Sequence, residues 1–277
     1  MKRFLKRLLQ GLHIYYPLHG FYRNIVDAQT KKKYRAAYKK YEGKGFICNF
    51  CNAQYKKFVP QYPDKNIEEA INKNAVIAGF GENVYCPNCL SKNRERLVLA
   101  VLQNDLNVTG KSILHFSPEK NLYNFLKDKA RVTTVDIMPG LYRNIDKNII
   151  KADATKLHFA DNSFDMIIAN HILEHIPEDV QAMKEMYRVL KPNGSAVLQV
   201  PYSEKLNVTI EEPFINDPKR QERLFGQRDH VRIYALKNYV KRLESAGFTV
   251  TVLSPQALHN YKKFAVQDSE SVVIANK

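Results

Sequence analysis

The chain has 277 residues, 44% of them hydrophobic, and carries 43 Lys/Arg against 28 Asp/Glu, a net charge of +15. That composition supports a sizeable core in one large domain, or in one domain plus a small module. No apolar run approaches the roughly eighteen residues of a membrane helix, and the N-terminus lacks the apolar stretch and small-residue cleavage site of a secretory signal, so a cytoplasmic protein is expected.

The charge is uneven. Residues 1–40 hold eleven Lys/Arg and one acid, Asp27, whereas the rest of the chain is nearly balanced, with 32 Lys/Arg and 27 acids. Phe4, Leu5, Leu8, Leu9 and Leu12 share one helical face, and Lys2, Arg3, Lys6, Arg7 and Gln10 the other. Residues 1–41 are therefore expected to form a basic amphipathic segment. Such a helix suits an anionic membrane surface, here the inner face of the membrane. Packing on the protein's own body is an equal alternative, and a nucleic-acid backbone a less favoured one.

The four cysteines form two C-x-x-C pairs, Cys48/Cys51 and Cys86/Cys89. Two such knuckles supply four thiolates for a tetrahedral zinc ion. Two disulfides would suit a small secreted domain instead. A closed four-cysteine site leaves no position for substrate, so the zinc is expected to be structural. Residues 42–90 then form a small zinc-ribbon-like module in which metal substitutes for a large core.

Residues 91–109 read as a helix packed between the module and the first strand of a larger domain. Lys111–Phe116 is that strand. Ser117-Pro118-Glu119 looks like a helix start, with Ser as N-cap and Pro in the first turn, and that helix is expected to reach about Lys129. Arg131–Asp136 and Asn148–Lys151 are further strands, and Phe164–Ala169 is an apolar run suited to a strand buried on both faces. A helix opens near Pro177, and Lys191-Pro192-Asn193-Gly194 turns the chain into a strand at Ser195–Val200. Residues 202–232 read as an irregular insertion. A helix at about Leu236–Ala246 and strands at Phe248–Leu253 and Ser271–Ala275 complete the chain. This alternation predicts an α/β fold with a doubly wound, Rossmann-like sheet. Ligands of such sheets bind at the carboxyl ends of the strands, where Ser117, Glu119, Asp136, Asp153 and Asn170 all fall.

The stretch Asp161–Pro201, with its FD, LEH and RVLKPNG segments, resembles class I S-adenosylmethionine (SAM)-dependent methyltransferases of the type 11 branch. The resemblance extends over about residues 45–275 to a subgroup whose first loop reads "LHFAPE" and which carries paired cysteines. It implies a seven-stranded sheet over residues 91–277, with residues 202–232 on the substrate side. It implies that Asp136 binds the ribose hydroxyls, that Asp153 and Ala154 lie by the adenine, and that Asn170 and His171 close over the methionine moiety. His115 and Ser117 belong to the first loop, and Glu119 is expected to bind the cofactor's ammonium group. One departure is large. The family's glycine-rich loop is here His115-Phe116-Ser117-Pro118-Glu119-Lys120-Asn121, with no glycine, although glycine lets backbone approach a ligand closely.

Methyl transfer from a sulfonium needs mainly alignment, but an oxygen nucleophile gains from a general base. Arg228-Asp229-His230-Val231-Arg232 provides candidates in the insertion: His230 as base, Asp229 as its partner and Arg232 as a substrate anchor, with a structural salt-bridge cluster as the alternative. His171-Ile172-Leu173-Glu174-His175 also fits H-x-x-E-H, an inverted zinc-peptidase signature. The same residues fit the methyltransferase pattern, so the peptidase reading is set aside. The subgroup implies O-methylation of a sugar hydroxyl on a glycan or lipid-linked sugar acceptor. The competing expectations are an RNA base methyltransferase with a zinc ribbon, and a degenerate, non-catalytic binding module.

Overall fold

The protein is described by a computed structural model covering residues 15–277. The predicted amphipathic face at residues 4–12 lies outside the described residues. A helix, α1 (Tyr15–Tyr38), begins the described part and leads through a short 3-10 turn into the cysteine module. That module has two antiparallel strand pairs. β1 (Glu42–Ile47) pairs with β2 (Gln54–Tyr55), and β3 (Val59–Gln61) with β4 (Gly81–Tyr85). Between β3 and β4 runs α2 (Lys65–Lys73). Cys48, Tyr55, Phe58 and Cys86 are buried together with Ala265 from the distant C-terminal region. The module is therefore packed on the rest of the chain.

The remainder is built around a seven-stranded sheet. Its strands are β5 (Ser112–Phe116), β6 (Arg131–Asp136), β7 (Ile150–Lys151), β8 (Phe164–Asn170), β9 (Leu190–Gln199), β13 (Thr249–Leu253) and β14 (Val272–Asn276). Their order across the sheet is β13-β14-β9-β8-β5-β6-β7. β5 through β9 pair in parallel, whereas β14 runs antiparallel to both its neighbours. The chain starts at the centre, winds outward through β6 and β7, then returns to β8. The reversal between β5 and β8 is the topological switch point, where such sheets open a ligand crevice.

The sheet is covered on both faces. Successive side chains of a strand point to opposite sides, and the core divides accordingly. Leu114, Ile167, Ala169, Ala196 and Leu198 pack toward α5 (Asp179–Val189) and α7 (Leu236–Ser245). Ile113, Met166, Ile168 and Val197 pack toward α3 (Asn93–Asn104) and α4 (Lys120–Leu126). Each fully buried Leu, Ile, Val or Met contributes about 1.5–3 kcal/mol. α3 has buried residues on every side, so the connection from the cysteine module is a packed element.

Several local expectations change. α4 starts at Lys120, with Glu119 as its N-cap position and no side-chain cap. Ser117 is therefore not a helix cap. Its hydroxyl is taken by Asp136 instead. The third strand shrinks to Ile150–Lys151. The helix expected at Pro177 begins at Asp179, after a 3-10 turn at Leu173–His175. Lys191–Gly194 does not precede β9 but bulges within it, with Asn193 at a positive φ of 62°.

The segment 202–232 is not irregular. β10 (Tyr202–Ser203) and β11 (Ile210–Glu211) flank β12 (Arg232–Ala235) in a small three-stranded sheet. Before β12 comes α6 (Pro218–Phe225), capped by Asp217, whose carboxylate accepts from Lys219 N and Arg220 N. Phe225 and Ile233 bury against Val76, so the insertion packs on the cysteine module.

Candidate cofactor cleft and cysteine cluster

A cavity of about 1050 Å³ lies at the carboxyl ends of β5, β6 and β8. That is at the upper end of ligand pockets, typically about 300–1,000 Å³, so a cofactor and part of an acceptor can share it. Ser117, Glu119, Asp136, Asp153, Ala154, Asn170, His171, Asp229 and His230 all line it. Two of the expected residues do not. His115 is fully buried beneath the cleft, and Arg232 is buried in the insertion.

The first loop solves its geometry without glycine. Ser117 adopts a left-handed φ of 43°, which costs a non-glycine residue about 1–2 kcal/mol. Its N–H donates to Val135 O at 2.8 Å, and its hydroxyl donates to Asp136 Oδ2. Asp136 Oδ1 accepts from Met138 N at 2.6 Å. A carboxylate offers about four lone-pair sites, so Asp136 keeps capacity for two ribose hydroxyls. Ile137 and Met138 follow it, half exposed, and line the cavity. They form an apolar wall beside Ala154 that suits a planar ring. Sequence reasoning missed these two because an exposed Ile-Met pair after a strand has no distinctive pattern. Asp153 turns its own loop, its Oδ1 accepting from Thr155 N and Thr155 Oγ1.

Glu119 sits deeper. Its Oε2 lies 2.9 Å from His115 Nε2, and its Oε1 accepts from Asn170 Nδ2 at 3.1 Å. Burial raises its pKa, but the His115 hydrogen bond and charge, with Arg94 and Asn170, hold it below the ordinary carboxylate value. It is thus an anion fixed within the cleft. His115 acts by orienting Glu119. The buried Asn170 Oδ1 has no partner and remains free to accept. These groups fit SAM: a carboxylate at the ribose end, a second carboxylate for the ammonium, and an apolar wall between Asp136 and Asp153. SAM, when bound, supplies an electrophilic methyl group.

At the other end of the cleft, histidines surround a buried carboxylate. Glu174 is fully buried, and neither oxygen receives an aligned hydrogen bond. His171 Nδ1 lies 3.2 Å from Glu174 Oε1 and His230 Nε2 3.9 Å from it. Burial raises the Glu174 pKa, but His171, His175 and His230 more than offset this and lower it to about 2. Burial pushes His230 down to about 4, opposed by Glu174. Burial and the nearby Arg94 also depress His171, whose backbone is left-handed at φ 56°. The site therefore holds a carboxylate anion beside His171 and His230, both of which burial holds toward the neutral form. His171 lies outside the helical turn that carries Glu174 and His175, so the H-x-x-E-H residues do not share one helix face. Glu174, His175 and His230 nonetheless bring ligand atoms within 4.8 Å of one another, a set that could hold a divalent ion.

The expected roles of Asp229 and Arg232 change. The Asp229 side chain is 67% exposed and approaches His175 Nδ1 at 3.5 Å. Glu174, not Asp229, is the carboxylate beside His230. Arg232 cannot anchor a substrate. It donates to the carbonyls of Leu173, Ile176 and Pro177, and to Glu211 Oε2 at 3.0 Å. It holds in place the loop that carries Glu174 and His175. Asp229 lies in the exposed turn before β12, whereas His230, Val231 and Arg232 enter the buried strand, which explains why His230 and Arg232 differ so much from Asp229.

The wall facing the cleft comes from the N-terminal half. Arg23, Asp27 and Tyr34 of α1 line the cavity with Tyr85, Lys92 and Arg94. α1 crosses Gly140 so closely that a Cβ there would lie 2.4 Å from the Tyr16 ring. Lys120 reaches Asn24 at 3.1 Å and Asp27 at 3.8 Å.

Cys48, Cys51, Cys86 and Cys89 cluster, and all are free thiols. Cys48 and Cys89 sulfurs are 3.5 Å apart, and those of Cys51 and Cys86 3.7 Å. Sulfurs about 2.3 Å from a tetrahedral zinc are roughly 3.8 Å apart, whereas a disulfide needs about 2.0 Å. Their chemistry and spacing fit zinc.

A family profile described as "Methyltransferase domain" matches residues 117–198. The chain is 39% identical over 72 residues to a demethylmenaquinone methyltransferase of Listeria monocytogenes, covering 26% of this chain and 27% of that protein. It is 41% identical over 59 residues to the ubiquinone/menaquinone biosynthesis C-methyltransferase UbiE of Coxiella burnetii, covering 21% and 23%. The chain thus spans about a quarter of the length of these relatives. One similar solved structure is the complex between the Haloferax volcanii Trm112 methyltransferase activator and the putative methyltransferase (TM-score 0.49, 14% identity, 65% of this chain and 88% of that one). Residues 117–198 thus match a methyltransferase domain, and the strand order around the cleft is that of a Rossmann-like SAM-dependent methyltransferase sheet.

Proposed function

We propose that this protein transfers the methyl group of SAM to a hydroxyl oxygen, with a lipid-linked sugar of a surface-glycan pathway as acceptor. The observation that carries this reading is the buried Glu174 carboxylate beside neutral His230 at the acceptor end of the cleft. A hydroxyl must lose its proton as it attacks. His230 takes that proton, and the Glu174 anion stabilises the imidazolium that results. His171, on the other side of Glu174, helps to hold the carboxylate and bounds the reacting position. Desolvation keeps His230 unprotonated, hence ready to accept, across physiological pH.

The lipid-linked character of the acceptor is supported by α1. Leu18, Phe21, Tyr22 and Ile25 follow helical spacing and are 40–67% exposed. This apolar stripe lies in the basic part of the chain and on the helix that walls the cleft. No helix among the described residues is long and apolar enough to cross a membrane, so the proposed attachment is peripheral. A structural zinc on the four cysteines completes the reading.

The relatives' names favour a second acceptor class, a carbon atom of a quinone such as demethylmenaquinone. Incubation with SAM and each acceptor, followed by product NMR, separates the readings. A new methyl ether supports the proposal, and a carbon-bound methyl group supports the quinone-type reading. Methylation of RNA alone would overturn both.

A further inference from the structure

The segment joining the second cysteine knuckle to α3, Cys89-Leu90-Ser91-Lys92-Asn93-Arg94-Glu95-Arg96, faces two sites at once. Arg96 is fully buried and ties the segment to the module. It donates to Ser91 O at 2.5 Å, Asn83 O at 2.8 Å, Phe264 O at 2.7 Å and Ala265 O at 2.7 Å. Ser91 Oγ lies 3.3 Å from Cys48 Sγ and 3.2 Å from Cys89 Sγ, and the Cys86 N–H donates to Ser91 O at 2.9 Å. The cysteine cluster therefore fixes where α3 begins.

Two residues before Arg96, Arg94 lines the opposite side, in the cofactor cavity. Its Nε is buried without a partner, and among the described residues its guanidinium makes no hydrogen bond or ion pair. A buried, unpaired guanidinium donor is costly. The same cavity holds the Glu119 carboxylate, whose pKa Arg94 helps to depress. Arg23, Lys31 and Lys92 also line this cavity, but Arg94 is the cation there with a buried donor left unpaired, and beside the Glu119 anion it gives what a zwitterionic α-amino acid requires. The SAM methionine tail is such a zwitterion, with its ammonium suited to Glu119.

We infer that Arg94 is the receptor for the α-carboxylate of the cofactor's methionine moiety, and that the cysteine module controls cofactor affinity by holding Arg94 in the cleft. This rests on reading the cleft as a SAM site. A planar guanidinium binds a carboxylate by two parallel hydrogen bonds. A metal cluster five residues away would then set cofactor affinity without touching the cofactor.

The test is titration calorimetry of the zinc-loaded protein with two ligands. S-adenosylhomocysteine carries the carboxylate. 5′-deoxy-5′-(3-aminopropylthio)adenosine keeps the ammonium and lacks the carboxylate. Arg94→Ala is expected to weaken the first by roughly tenfold to a hundredfold, the scale of a charge-assisted hydrogen bond, and to leave the second unchanged. Arg94→Lys should recover part of the loss. Removing zinc with a chelator should reproduce the Arg94→Ala pattern. Equal weakening of both ligands, or of neither, by Arg94→Ala overturns the assignment. Chelation without loss of S-adenosylhomocysteine affinity overturns the link to the cysteine module. Failure of the wild-type protein to bind either ligand would instead remove the SAM reading on which the inference stands.

Discussion

His230 Nε2 lies 3.9 Å from Glu174 Oε1, and both side chains are almost wholly shielded from solvent. The pair joins two parts of the chain that are far apart in sequence: the loop after β8 and the start of β12. Arg232 maintains this approach by binding the carbonyls of Leu173, Ile176 and Pro177.

If His230 is the base, His230→Ala should lower turnover by about 10²–10⁴-fold with little change in SAM affinity. Because burial lowers its pKa to about 4, the acid limb of kcat/KM should fall near pH 4. The base works unprotonated, so a depressed pKa moves that limb downward. An acid limb near pH 6.5 in single-turnover assays would count against His230.

Asp136→Ala should weaken SAM binding by about 1–3 kcal/mol through lost ribose hydrogen bonds. It also removes the acceptor for Ser117 Oγ and Met138 N, so a thermal melt must accompany the titration. Unchanged affinity in a folded variant would show that the ribose is held elsewhere.

Arg232→Met should cost about 3–5 kcal/mol of stability, the usual effect of removing one partner from a buried ionic network. Asp179 and Glu211 would keep Arg242 as their remaining cation. Denaturant unfolding measures this. A variant as stable as wild type but unable to bind acceptor would restore Arg232 as an anchor.

Purified protein should contain about one zinc per chain, and Cys86→Ser should lose it and destabilise the module. A second metal equivalent that survives Cys86→Ser would locate an ion at Glu174, His175 and His230. A metal-free protein with wild-type stability would remove the zinc assignment.

Phe21→Glu with Tyr22→Glu should reduce flotation with phosphatidylglycerol vesicles while leaving S-adenosylhomocysteine affinity intact. Equal flotation of variant and wild type would show that the α1 stripe is not the anchor.

The sheet was legible because its strands are buried on both faces. Short apolar runs such as FDMIIA and SAVLQV, bounded by turn residues, suit strands buried on both faces, and the acids Asp136 and Asp153 fall at or just after strand ends. The cysteine cluster was legible from spacing alone. The start of α4 was misplaced because Ser117 and Pro118 carry strong local helix-start signals, yet Asp136, brought alongside by the sheet, takes the Ser117 hydroxyl. The sheet in the insertion was invisible because β10 and β11 are two residues long and depend on nonlocal pairing with β12. Arginine in a sequence reads as surface charge, so neither the structural role of Arg232 nor the cavity position of Arg94 could be separated from the other arginines. The burial of Glu174 was not legible because it depends on the segment entering β12 packing over it, where Val231 N–H donates to Glu174 O at 3.0 Å.

On the proposed reading, a cleft without glycines accepts SAM because Ser117 adopts the left-handed turn, and because Glu119, Asp136 and Asn170 present their polar groups around it. Titration calorimetry of the zinc-loaded protein with SAM is the decisive measurement. Saturable binding at one site per chain is expected, competed by S-adenosylhomocysteine and weakened by Asp136→Ala. Folded protein that gives no heat with SAM and shows no competition would contradict the cofactor assignment and the mechanism built on it.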